Sequence, residues 1–93
     1  YPPAIRDIAV LVPFEVKVID AMNKINLAGG DLVADVDLFD IYQGEGLPDG
    51  KKNLAFHIIF QSKNKTLGLE EINALQDKII KALESNPEWE VRK

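Results

Sequence analysis

The sequence contains no cysteine, and this absence excludes disulfide bonds, zinc–thiolate centres and a cysteine nucleophile. No apolar run approaches the roughly 20 residues that a membrane-spanning helix needs, and there is no signal-peptide pattern. Basic residues are fewer than acidic ones, 11 against 15, which gives a net charge of -4. Nucleic-acid binders usually present a basic face, so charge alone disfavours RNA unless basic residues cluster locally or neighbouring domains contact the phosphates.

The length of 93 residues fits one globular domain with a single core. A chain of this size buries roughly two thirds of the surface that its unfolded form exposes, which leaves little room for an enclosed active-site cavity. The sequence begins at Tyr1 rather than Met. We therefore expect residues 1–93 to be one domain of a longer protein.

Hydrophobic periodicity and turn signals predict six elements. The strands cover about Ile5–Val12, Leu32–Tyr42, Asn53–Gln61 and Trp89–Arg92, and the helices about Val16–Leu27 and Leu69–Glu84. The order β-α-β-β-α-β predicts an α+β ferredoxin-like fold with a four-stranded antiparallel sheet. Right-handed crossovers place both helices on one face of that sheet and leave the other face open.

The second predicted strand contains a conflict between its apolar residues. They fall on both sides of its alternation, Val36 and Leu38 on one side and Phe39 and Ile41 on the other. One register cannot bury both pairs, and a β-bulge or a strong twist near Leu38 and Phe39 would reconcile them. If Phe39 and Ile41 point to the core, their neighbours point outward.

Five residues are expected on the open face: Asp40, Tyr42, Asn53, Ala55 and His57. An open sheet that carries an aromatic ring and polar groups can serve as a platform for unstacked bases. These residues can equally be ordinary solvent-facing strand residues. The pattern leaves both interpretations open.

Four groups of residues carry a resemblance to a known family: Tyr1-Pro2 with Arg6–Ala9, Leu38–Tyr42 with Gly44, Gly50–Phe56, and Thr66-Leu67 with Glu70–Ile72. In this order they resemble the ferredoxin-fold anticodon-binding domain at the C-terminus of the bacterial-type phenylalanyl-tRNA synthetase β subunit. The resemblance extends over essentially the whole chain. Each motif alone would be weak, and the four together are specific.

The resemblance implies that the domain holds the anticodon stem-loop of phenylalanine tRNA and catalyses nothing by itself. The implied partners are this tRNA, the remainder of the β subunit and the α subunit, in a cytoplasmic ligase without a membrane component. The parent enzyme would use ATP and magnesium, both bound outside these 93 residues.

The Asp and Tyr of the family's Phe-Asp-x-Tyr stretch correspond to Asp40 and Tyr42. The resemblance associates these two residues with the first anticodon base, a guanine. A tyrosine ring can stack on a base, worth roughly 1–3 kcal/mol, and a carboxylate can accept hydrogen bonds from guanine N1–H and N2–H₂. Asn53 stands where the family usually has serine, and it keeps both a donor and an acceptor. Gly68 stands where the family commonly has a threonine that caps the second helix.

The expected RNA-binding residues also include Lys51, Lys52 and Arg6, as phosphate contacts. The two lysines begin the third predicted strand, and Arg6 should lie at the opposite end of the sheet. Each of these cations is either a phosphate contact or a solvated charge, and Arg6 has a further alternative in an ion pair with Asp7 or another carboxylate. His57 either contacts a base or is an ordinary surface histidine.

Two other classes of function compete with RNA binding. A ferredoxin-like phosphatase would need a glycine-rich anion loop after the first strand, but the sequence there is Pro13-Phe14-Glu15. No spacing around His57 supports a nucleophilic triad or a metal site. A small-ligand or protein-binding module remains open, because ferredoxin-like domains host many functions.

Overall fold

The computed structural model describes residues 1–92 and contains the six predicted elements in the predicted order. They are β1 (Ala4–Pro13), α1 (Val18–Gly29), β2 (Val33–Tyr42), β3 (Lys51–Phe60), α2 (Leu69–Leu83) and β4 (Glu90–Arg92), with one 3₁₀ turn over Gly30–Leu32. Each predicted boundary lies within two residues of the observed one. The predicted ferredoxin-like α+β fold is confirmed.

The four strands form one antiparallel sheet in the order β2-β3-β1-β4. The two central strands, β1 and β3, pair without interruption from Ala4 opposite Phe60 to Pro13 opposite Lys51. Because side chains alternate between the two faces of a strand, this register fixes which residues face the helices.

The core lies between the sheet and the two helices. Leu54, Phe56, Ile58 and Phe60 of β3 are fully buried, and the helices contribute Ala21, Ile25, Ile72, Ile79 and Leu83. The periodicity of α2 also predicts an apolar stripe that begins at Leu69, and the structure confirms this stripe from Ile72 onward. Its first residue, Leu69, does not belong to it, because the exposed fraction of Leu69 is 65%.

A β-bulge in β2 confirms the predicted irregularity near Leu38 and Phe39. Leu38 lies opposite Phe56 and Asp40 lies opposite Ala55, so Phe39 is an extra residue in the ladder. After the bulge, Ile41 returns to the helix-facing register opposite Leu54. The expectation that Phe39 also points to the core is wrong. As the inserted residue it lies on the open face, where it stacks on His57.

The first turn of α2 is closed by a carboxylate rather than by its N-cap side chain. The Gly68 N–H donates a hydrogen bond to Glu71 Oε1 at 3.2 Å, and Lys65 Nζ lies 2.7 Å from Glu71 Oε2. Glu71 thus supplies the reciprocal half of a capping box. The Lys65 ammonium and the Gly68 N–H hold the pKa of Glu71 below its ordinary value of 4.5.

We expect Glu71→Gln to reduce the loss of stability on acidification. A carboxylate with a lowered folded-state pKa contributes stability above its unfolded-state pKa, and this contribution disappears as pH falls through the folded-state value. Urea unfolding from neutral pH down to about pH 3 should therefore show the gap between wild type and variant closing below about pH 4.5. Glu70→Gln is the matched control, because Glu70 forms no ion pair within residues 1–92. A gap that stays constant over this window would contradict the prediction.

We expect Gly29→Ala to destabilise the fold by about 1–3 kcal/mol, the usual cost of overpacking. A Cβ at Gly29 would lie 2.0 Å from Val33 Cγ2, at the junction between α1 and β2. The measurement is the free energy of unfolding in urea. Gly68→Ala is the control for lack of space, since its Cβ would meet nothing closer than Glu71 Oε1 at 3.7 Å, and it should cost only the poorer N-cap preference of alanine. Equal effects of the two substitutions would show that the helix–strand contact at Gly29 is not tight.

Candidate nucleic-acid interface

The open face of the sheet carries all five residues expected there. Asp40 and Ala55 lie opposite each other, Tyr42 lies opposite Asn53, and His57 lies opposite both Asp7 and Asp37. These positions alternate with the buried residues of β3, so they face away from the helices. The rephasing of β2 at the bulge is what turns Asp40 and Tyr42 outward.

Asp40, Tyr42 and Asn53 form a cluster at the hairpin end of the open face. Asp40 is exposed and faces the small side chain of Ala55, which leaves space beside the carboxylate. The exposed fraction of Tyr42 is 46%. Its hydroxyl donates a hydrogen bond to the Glu45 carbonyl in the loop between β2 and β3. The ring is thus held in place while much of its surface remains accessible.

Asn53 has an unusual side-chain environment. Its Oδ1 is buried and has no hydrogen-bond partner within residues 1–92. Its cross-strand neighbours are Tyr42 on one side and Leu11 on the other. Buried polar atoms are normally hydrogen-bonded. The free protein therefore leaves this acceptor unsatisfied, and a ligand donor could reach it only if the Asn53 side chain turned toward the surface.

The two predicted lysine contacts are already engaged within the chain. Lys51 Nζ donates a hydrogen bond to the Glu88 carbonyl at 2.7 Å, and this bond ties β3 to the segment before β4. Lys52 lies opposite the buried Val12, in the helix-facing register, and its Nζ is 5.7 Å from the centroid of the Phe14 ring. Only Lys51 has the register of the open face.

Arg6 lies at the far end of the sheet from the lysines, as expected. It is opposite the buried Ile58 and therefore in the helix-facing register. Its guanidinium donates to the Ile5 carbonyl over a long distance of 3.4 Å. The alternative of an ion pair with Asp7 is not observed, because Asp7 contacts His57 instead.

Sequence reasoning missed the pair formed by Phe39 and His57. The two rings are stacked, with centroids 3.9 Å apart and an interplanar angle of 12°. His57 Nδ1 lies 2.6 Å from Asp7 Oδ1, which fixes the orientation of the imidazole. The bulge itself was the available signal, because the residue inserted in a bulge leaves the regular alternation.

The open face is acidic. Four aspartates share it: Asp7, Asp35, Asp37 and Asp40. Their combined field repels phosphate groups, so a nucleic acid on this face must present its bases to the sheet and keep its backbone toward the rim. The face suits base contacts better than backbone contacts.

Comparison with known proteins identifies the family of the chain. Residues 1–92 match the family model for the ferredoxin-fold anticodon binding domain. The chain belongs to this family. Among the relatives of this anticodon-binding domain are the phenylalanine–tRNA ligase β subunits of Clostridium tetani, 42% identical, and Syntrophotalea carbinolica, 40% identical, each over 99% of the chain. The β subunit of Geobacillus kaustophilus is 42% identical over 90% of the chain.

The anticodon-binding domain spans only about a tenth of these relatives: the alignments cover 12%, 11% and 10% of their respective lengths. Within residues 1–92, no helix is long and apolar enough to cross a membrane. The same residues contain no group of three or more histidine, aspartate or glutamate side chains placed to hold a metal ion.

We expect Asn53→Ala to leave the free energy of unfolding unchanged or to raise it by up to about 1 kcal/mol. The substitution removes a desolvated oxygen that has no partner in the described chain, and such groups are costly to bury. Urea unfolding provides the measurement. Leu54→Ala, at the adjacent and fully buried position, should lose about 2–5 kcal/mol and shows that the assay resolves core damage. A loss above about 1 kcal/mol for Asn53→Ala would mean that its amide stabilises the free protein.

Proposed function

We propose that this chain is the anticodon-binding domain of a phenylalanine–tRNA ligase β subunit and binds the anticodon stem-loop of phenylalanine tRNA on its open face. The observation that carries the proposal is the convergence of Asp40, Tyr42 and Asn53 at one point of that face. Family membership and the names of the relatives support it.

In this proposal residues 1–93 are one domain of a longer β subunit. The remainder of that subunit and an α subunit complete a cytoplasmic enzyme that joins phenylalanine to its tRNA. ATP and magnesium are then bound elsewhere in the enzyme, and this domain contributes binding rather than catalysis.

The three clustered residues account for selection of a guanine as the first anticodon base. The base stacks on the exposed ring of Tyr42, whose hydroxyl is already bound to the loop. The Asp40 carboxylate accepts hydrogen bonds from guanine N1–H and N2–H₂. The buried Asn53 Oδ1 becomes a further acceptor once its side chain turns toward the base. Adenine has an acceptor at N1 and no amino group at C2, so it would leave these acceptors unpaired.

Phosphate contacts come from cations at the two ends of the sheet. Lys52 and Arg6 have the helix-facing register, so each must reach a phosphate around the end of its strand. Lys52 and Arg6 are about 20 Å apart along the strands, so they contact different phosphates. Lys51 can bind a phosphate only by giving up or sharing its hydrogen bond to the Glu88 carbonyl.

We expect NMR titration of this chain with the anticodon stem-loop, at low salt, to shift resonances centred on Asp40, Tyr42 and Asn53. Tyr42→Ala should weaken binding by about 1–3 kcal/mol through lost stacking. Asp40→Asn should reduce the preference for guanine over adenine at the first anticodon position, because an amide donates as well as accepts.

The control is Leu27→Ala, which alters a residue of α1 with an exposed fraction of 83%, on the opposite layer of the domain. This variant should bind like the wild type. The proposal fails if millimolar stem-loop RNA produces no shifts. It also fails if the shifts centre on the helices and are equal for RNAs with guanine or adenine at the first position.

A protein- or small-ligand-binding module without RNA binding is the second candidate, favoured by the four aspartates of the open face. RNA binding should weaken steeply as salt rises, since counterions are released from the phosphates. A protein partner that relies on apolar contact should depend less on ionic strength. The same titration at two salt concentrations therefore separates the candidates.

A further inference from the structure

We infer that the stacked Phe39–His57 pair is a second base-binding site on the open face. It would receive a nucleotide adjacent to the first anticodon base and prefer bases that carry an exocyclic amino group. The inference rests on the proposed function, because it adds a second site to the same RNA surface.

The position of the pair supports successive stacking. Phe39 and Tyr42 are both on the open face and about 10 Å apart along β2. Four-stranded sheets that bind single-stranded RNA use aromatic side chains on their open face to stack two or three bases. The anticodon-binding domain likewise has a four-stranded sheet with aromatic rings at two places on its open face, so two neighbouring bases can be held at once.

Neither ring of the pair packs into the core. Neither Phe39 nor His57 belongs to the cluster of buried side chains, and the exposed fraction of Phe39 is 49%. Each ring covers one face of the other, and neither is enclosed. One exposed ring is ordinary on a protein surface. Two stacked rings beside a hollow that contains carboxylates form a candidate platform for a base.

The polar groups around the pair determine which bases fit. His57 has an aspartate opposite it on each neighbouring strand, Asp7 on β1 and Asp37 on β2. Ionised carboxylates accept hydrogen bonds and donate none. Adenine, guanine and cytosine each offer an amino group to such acceptors, whereas uracil offers two carbonyl oxygens and one N–H. Uracil should therefore bind worst.

The surface on the His57 side of the pair leaves space for a base, in a hollow that Phe39 does not line. A shallow hollow next to His57 has Ile5 and Ile59 in its lining, with Asp35 and Asp37 also along it. Its apolar part suits the face of a ring, and its carboxylates suit an amino edge. The same carboxylates repel phosphate, so the ribose–phosphate chain passes outside the hollow.

The test is a double-mutant cycle on RNA affinity. The protein is the wild-type chain or Phe39→Leu, which keeps apolar bulk and removes the ring. The RNA is the anticodon stem-loop, intact or with an abasic nucleotide on either side of the first anticodon base. We expect Phe39→Leu to weaken binding at least about fivefold, which is the lower end of the range for one lost stack. Abasic replacement at one of the two neighbouring nucleotides should have an effect of the same size. The double change should cost little more than either alone, because both remove the same contact.

Two further variants keep the result interpretable. Phe39→Trp retains an aromatic face and should restore binding, which separates stacking from damage to the bulge. Asp37→Asn should narrow the difference between RNAs with uracil and RNAs with adenine, guanine or cytosine at the affected neighbour, because an amide can donate to a carbonyl oxygen.

The inference is overturned if Phe39→Leu leaves the affinity unchanged, or if its effect multiplies with that of the abasic nucleotide at both neighbours. In either case a retained effect of Tyr42→Ala and of the first anticodon base would leave the proposed function standing. A different result would refute the proposed recognition of the first anticodon base. In that case the RNA affinity would not change with Tyr42→Ala or with the first base, while Phe39→Leu and the abasic nucleotide would still be coupled.

Discussion

The insertion of Phe39 into β2 determines which side chains face the core and which face the nucleic-acid side. Val36 and Leu38 pack toward the helices before the bulge, and Ile41 returns to that register after it. If β2 alternated regularly through Phe39, without a bulge, Asp40 and Tyr42 would turn toward the helices, and a carboxylate buried there without a partner would be costly. Because these apolar side chains of β2 face the helices, Asp40 and Tyr42 are exposed beside Asn53 on the open face.

The same irregularity protects an edge of the sheet. β2 is an outer strand of ten residues, and long regular edges invite pairing with other chains. Two register shifts, near Ala34 and at Phe39, and the exposed carboxylates of Asp35 and Asp37 interrupt this edge. Protection and recognition have conflicting requirements here, because the charges that discourage strand pairing also repel an RNA backbone. RNA that binds with its bases toward the sheet and its phosphates toward the rim satisfies both requirements.

The fold was predictable because its signals are local. The order and approximate limits of the elements were predicted from the alternation in β3, the glycine-rich loop 43–50 between β2 and β3, and the helical periodicity. The bulge was predictable because the apolar residues of β2 fall on both sides of its alternation. Alternation alone did not identify Phe39 as the inserted residue. Arg6 and Lys52 were expected only as phosphate contacts. Their helix-facing register could have been predicted, because Arg6 shares strand parity with Ile8 and Lys52 with Leu54.

Other features of the candidate site depend on tertiary contacts that no local pattern encodes. Lys51 meets the Glu88 carbonyl across 37 residues of chain, and Asp7 meets His57 across 50. The roles of Asp40 and Tyr42 in base recognition came from family resemblance and remain predictions. The hydrogen bond between the Tyr42 hydroxyl and the Glu45 carbonyl has a consequence for their energetics. Because the ring is immobilised before a ligand arrives, most of its rotamer entropy is lost on folding rather than on association, so stacking contributes more fully to affinity.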